Sequence, residues 1–144
     1  MRNGSSVLLW LAAIGGIGIG GYHFFLPIQF RWLDDIHPAH GMVAWGLLMV
    51  NACFSTLLIL GSLMLAFAAR SDAKDPMARV VVAGMAIFWA MNTIYQFVAP
   101  MPVPKAMVLV SHSLQFFAFV MFVCSFLPLM TRLGTANAAK QTQH

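Results

Sequence analysis

AHGMVAWGLLMVNACFSTLLILGSLMLAFAA, residues 39–69, contains no Asp, Glu, Lys or Arg. It exceeds the roughly 20 apolar residues that carry an α-helix across about 30 Å of hydrocarbon. This run sets the fold class: a helix that crosses a membrane. Its surplus length predicts that the helix tilts or projects beyond the bilayer.

Three further apolar stretches, residues 7–27, 80–99 and 106–131, are also long enough to span. Of the 144 residues, 60% are hydrophobic and 8% charged, and the mean hydropathy is +0.81. A soluble domain of this size cannot hide that much apolar surface. The expected fold is an all-α polytopic membrane protein, a single four-helix transmembrane bundle over residues 1–132 with a polar tail at 133–144. A secretory leader is the competing reading of the first stretch. The run is long and ends in no clear small-x-small cleavage site, so a retained helix is expected.

The basic residues set the orientation. Arg2, Arg70, Lys74, Arg79, Arg132 and Lys140 fall on one side of the four spans, and only Arg31 and Lys105 on the other. Cytoplasmic loops carry the excess of Lys and Arg, which predicts N-in, C-in topology in a bacterial-type inner membrane. The formal charge of +4 then reflects topology. The cations are scattered at helix ends and form no patch for nucleic acid. Cys53 and Cys124 lack CxxC spacing and lie within spans, where cysteine commonly packs.

The segments between spans are short. QFRWLDDIHPAH, residues 29–40, carries Trp32, suited to the membrane interface, and Asp34, a candidate cap for the second helix. RSDAKDPMAR, residues 70–79, offers Asp75 and Pro76 as a cap and first turn. PMPVPK, residues 100–105, is stiffened by three prolines. The tail reads as disordered or frayed. A shift of 72 residues places His40 on His112 and Met49 on Met121, so a duplicated hairpin is conceivable.

Small and polar residues recur at helical spacing: Gly16, Gly20 and His23 in the first span; His40, Asn51, Ser55 and Ser62 in the second; Asn92 and Gln96 in the third; His112, Gln115 and Ser125 in the fourth. These stripes should face inward, because lipid offers no hydrogen bonds. The amides are read most simply as interhelical hydrogen-bonding groups.

The histidines carry more. Ionisable side chains inside a membrane are expensive and usually face a bundle interior. His40 and His112 begin two spans that start at the same face, and His23 ends a third span toward that face. His37 lies three residues before His40. Convergence of His23, His40 and His112 at one depth points to a metal or haem site. As a bis-histidyl haem b, the site would use His40 and His112 as axial ligands, with Arg31 and Lys105 toward the propionates. As a bare copper, zinc or iron site, it would use His23, His40 and His112, with His37 nearby. A di-iron carboxylate site is disfavoured, since the chain has no glutamate. No Walker, Rossmann, HExxH or GxSxG motif occurs.

Three functions follow as expectations. The first is a small b-type cytochrome-like electron carrier exchanging electrons with a quinone or another redox partner. The second is a three-histidine metal enzyme or metal-handling protein. The third is a cofactor-free accessory subunit of a larger membrane complex. A homo-oligomer is compatible with each.

Overall fold

In the computed structural model the described residues are 2–35, 40–99 and 108–141. They form five helices: α1 Arg2–Gln29, α2 Trp32–Asp35, α3 Gly41–Arg70, α4 Pro76–Val98 and α5 Val108–Gln141. All but the short α2 are long and apolar enough to cross a membrane. The chain is an all-α polytopic four-helix transmembrane bundle.

The bundle runs up, down, up, down. Each long helix packs against its neighbour in sequence, and α5 closes the ring against α1. The most extensive contacts are α1 with α3 and α4 with α5, so the fold reads as two hairpins laid side by side. α3 and α5 stand at opposite corners. One end of the bundle holds the 71–75 turn and is called the turn end below. The other, where α1 and α4 finish, is the histidine end.

Small residues let the backbones approach, as is common between membrane helices. Gly16 lies under Ser62, and Gly20 packs against Ile59 and the Ser55 carbonyl, both in α3. Gly15 faces Met121 and Phe117 of α5. Gly18 and Gly21 have no side chain or neighbouring helix near their Cα hydrogens. The first helix therefore has a packed glycine face and an open one. Leu9, Ala12, Leu58, Leu65, Val82, Trp89, Ala118 and Met121 are buried between the helices.

The turn end is held by polar groups. The last carbonyls of a helix have no partner within it. Those of α3 are met by Ser6, whose hydroxyl donates to the Ala69 carbonyl at 2.8 Å, and by Arg132. The Arg132 guanidinium reaches across the diagonal from α5 to donate to the carbonyls of Ala68 at 2.6 Å and Asp72 at 3.1 Å. It is 5% exposed. Arg70 lies over the Trp10 ring at 5.0 Å, adding a cation–π contact between α3 and α1. As expected, Asp75 caps α4, accepting from the Met77 amide at 2.9 Å, with Pro76 in the first turn.

Two local expectations change. Asp34 does not cap α3. It pairs with Arg31 at 2.6 Å across the left-handed turn that ends α1, where Arg31 has φ 48°. The residue preceding α3 is His40, which makes no side-chain cap hydrogen bond. The tail does not fray at residue 133. α5 continues to Gln141, because Ala136, Ala138 and Ala139 are strong helix formers.

Candidate functional site

The histidine end differs from the turn end in its polar content. Asn51, buried in α3, donates from Nδ2 to the His23 carbonyl at 2.7 Å. Gln115 of α5 donates from Nε2 to the Gln96 carbonyl of α4 at 3.0 Å. Each hairpin is thus clasped by one side-chain amide on a backbone carbonyl. Of the stripe amides, Asn51 and Gln115 act as helix-to-helix donors, as expected.

Below the clasps lies a tier of rings. The His23 imidazole is 4.9 Å from the Phe54 ring, Phe54 is 5.9 Å from Phe88, Phe88 is 5.2 Å from Trp89, and Trp89 is 5.9 Å from Phe117. The series crosses from α1 through α3 and α4 to α5. Trp89 belongs to the buried core, and Phe54, Phe88 and Phe117 pack against that core. The Trp89 indole N–H and the Ser62 hydroxyl are buried there without a hydrogen-bond partner.

The three spanning histidines occupy different places. His23 is half-buried, against the Phe54 ring of α3. Its carbonyl is bonded to Asn51, so those two residues share a level. His40 precedes Asn51 by eleven positions, which at about 1.5 Å per residue places it roughly 16 Å farther toward the histidine end. Phe117 closes on Gly15, eight positions before His23. By the same rise, that contact puts His112 within about one helical turn of His23's level.

An imidazole–metal bond is about 2 Å long. His40 precedes α3 and His112 lies in α5, and these two helices stand at opposite corners of the bundle. The common depth expected of His23 and His40 is not seen, because α3 extends past the Asn51–His23 contact by about three helical turns.

His112 is also turned differently from the expectation. It is exposed, whereas Ser111 is buried. Consecutive helical residues differ by about 100° in direction, so the inward stripe of α5 runs through Ser111, Ala118 and Ser125. Gly16, Gly20, Asn51, Ser55 and Ser62 are inward as predicted. Among the described residues, no group of three or more His, Cys, Asp or Glu side chains is placed to hold a metal ion. His23, His40 and His112 do not form the expected three-member cluster. Arg31 is engaged with Asp34. His37 and Lys105 lie outside the described residues.

Sequence reasoning missed Ser111, Trp89 and Arg132 as structural centres. Arg132 entered only as a topological charge. Its burial follows from a reach across the bundle that no local pattern encodes. Compared with protein-family models, curated proteins and solved structures, the chain matches none of them.

Proposed function

We propose that this chain is an accessory subunit of a larger membrane assembly, acting through helix-to-helix contact. The supporting observation is what its membrane-embedded polar groups do. Asn51, Gln115, Ser6 and Arg132 all donate to backbone carbonyls of other helices. The interior is engaged in holding the bundle, while His112 and much of the apolar surface face outward. Orientation with both termini inside a bacterial-type inner membrane agrees with the distribution of Lys and Arg. Purification from native membranes in mild detergent tests the reading. Stoichiometric recovery with defined larger subunits, without a Soret band, is the expected result. Sharp reduced α and β bands in the isolated chain would overturn it.

A second reading, the haem b or quinone-linked electron carrier, is favoured by the ring tier that starts at His23. His23 would then be the ligand or contact, since it is half-buried where His40 and His112 are exposed. A dithionite-reduced spectrum decides. Bands lost in His23→Ala and retained in His40→Ala support this reading, and no bands in haem-replete cells remove it.

A further inference from the structure

Arg70 ends the uncharged run 39–69 and is the last residue of α3. The side chain is exposed, and its guanidinium lies 5.0 Å over the Trp10 ring of α1. A charge at the end of an apolar span sits where hydrocarbon gives way to head groups, and tryptophan favours the same level. The pair therefore marks a boundary of the bilayer where α1 meets α3.

The other arginines with described contacts are occupied. Arg31 donates to the Asp34 carboxylate, Arg79 to the Lys74 carbonyl and Arg132 to the Ala68 and Asp72 carbonyls. Among the described residues nothing accepts a hydrogen bond from Arg70, whose contact is the Trp10 ring. The ring covers one face of the guanidinium and leaves its N–H donors at the edge. Those donors form a rigid fork that matches two oxygens of a phosphate. Holding the plane on Trp10 beforehand lowers the ordering cost of that match. Toward the membrane interior, the same side of α3 carries Phe67 and Leu63, 67% and 43% exposed. Ile14 of α1, one turn from Trp10 in the same direction, is 63% exposed.

We propose that Arg70 and Trp10 bind the phosphate of an anionic phospholipid, whose acyl chains lie on Phe67, Leu63 and Ile14. Charge complementarity names the head group, and the apolar side chains beneath it select a lipid over free phosphate. A zwitterionic lipid is disfavoured, because its ammonium brings a like charge to the guanidinium. The site goes beyond the accessory-subunit reading and needs no protein partner.

The test titrates the full chain in mild detergent with phosphatidylglycerol or phosphatidylcholine and counts bound lipid by native mass spectrometry. Phosphatidylglycerol should bind about tenfold more tightly, and Arg70→Gln should lose about that factor, the effect of one charge-assisted contact. Arg70→Lys should recover only part of it, because an ammonium lacks the fork. Trp10→Leu keeps the charge but frees the guanidinium, and should also weaken binding. Lys74→Gln removes the same charge from the same end and should leave binding unchanged. Arg70 and Lys74 are exposed, so their variants keep the bundle intact, which circular dichroism verifies. Equal binding of the two lipids, or binding unchanged in Arg70→Gln, overturns the proposal. Equal losses in Arg70→Gln and Lys74→Gln also overturn it, by reducing the effect to diffuse charge. Inorganic phosphate at millimolar concentration should not displace the lipid, and displacement would assign the site to free phosphate instead.

Discussion

Asn51 of α3 hydrogen-bonds the backbone carbonyl of His23 in α1 at 2.7 Å, fixing the relative level of two antiparallel helices. The bond joins a buried amide to a carbonyl one turn above Gly20, which packs against Ile59 and the Ser55 carbonyl. It works with the glycines. The small residues bring the backbones near, and the amide sets how far one helix slides along the other.

Replacing Asn51 by Leu keeps the volume and removes that bond. Interhelical hydrogen bonds in membranes are worth about 0.6–2 kcal/mol, so a loss of about 1 kcal/mol is expected in an SDS-unfolding titration. A loss above about 4 kcal/mol would show that Asn51 holds more than the His23 carbonyl, since values that large mark a distinct mechanism.

The two glycine faces of α1 should respond oppositely. Gly20→Ile drives a side chain into Ile59 and the Ser55 carbonyl, and overpacking of this kind costs about 1–3 kcal/mol or more. Gly18→Ile projects into open space. Its effect should stay within about 0.5 kcal/mol, the usual range for surface changes. Parallel thermal unfolding of both variants checks the pair. Equal sensitivity would place α1 in a different rotation about its axis.

Arg132→Met should destabilise the turn end. Hydrogen bonds to charged groups contribute about 1.5–3 kcal/mol each, and the Ala68 and Asp72 carbonyls lose theirs. A net loss of about 2–3 kcal/mol is expected, with faster hydrogen exchange confined to the end of α3 and the 71–75 turn. Arg132→Lys should rescue only partly, because an ammonium lacks the planar fork that spans two carbonyls. Full rescue by Lys would reduce the residue's role to its charge.

The orientation is checked by labelling single cysteines placed at Asp72 and Asn137, in a chain without the native cysteines. Both should react with an impermeant maleimide only after the inner face is opened. Reaction at position 72 in intact cells would reverse the topology.

By itself the sequence determined the spans. The uncharged run 39–69 and its three companions require helices in lipid, because an unpaired backbone in hydrocarbon costs several kcal/mol per group. The Asp75–Pro76 helix start was equally legible, since a cap acts over three residues. So were Asn51, Ser55 and Ser62, whose helical spacing marks a buried stripe. The placement of the histidines was not. Whether His112 or Ser111 faces inward is a rotation of about 100°. It is settled by how Phe117 and Met121 lock onto Gly15, a contact between residues about a hundred positions apart. Whether His40 shares a level with His23 depends on the sliding of α3 along α1, which Asn51 and the glycines fix. Arg132 was visible as a charge, but its burial required the end of α3 to lie within reach. Local composition decides that a helix forms and that it enters a membrane. Rotation, height and diagonal reach arise only when four helices pack, and only the tertiary structure decided them.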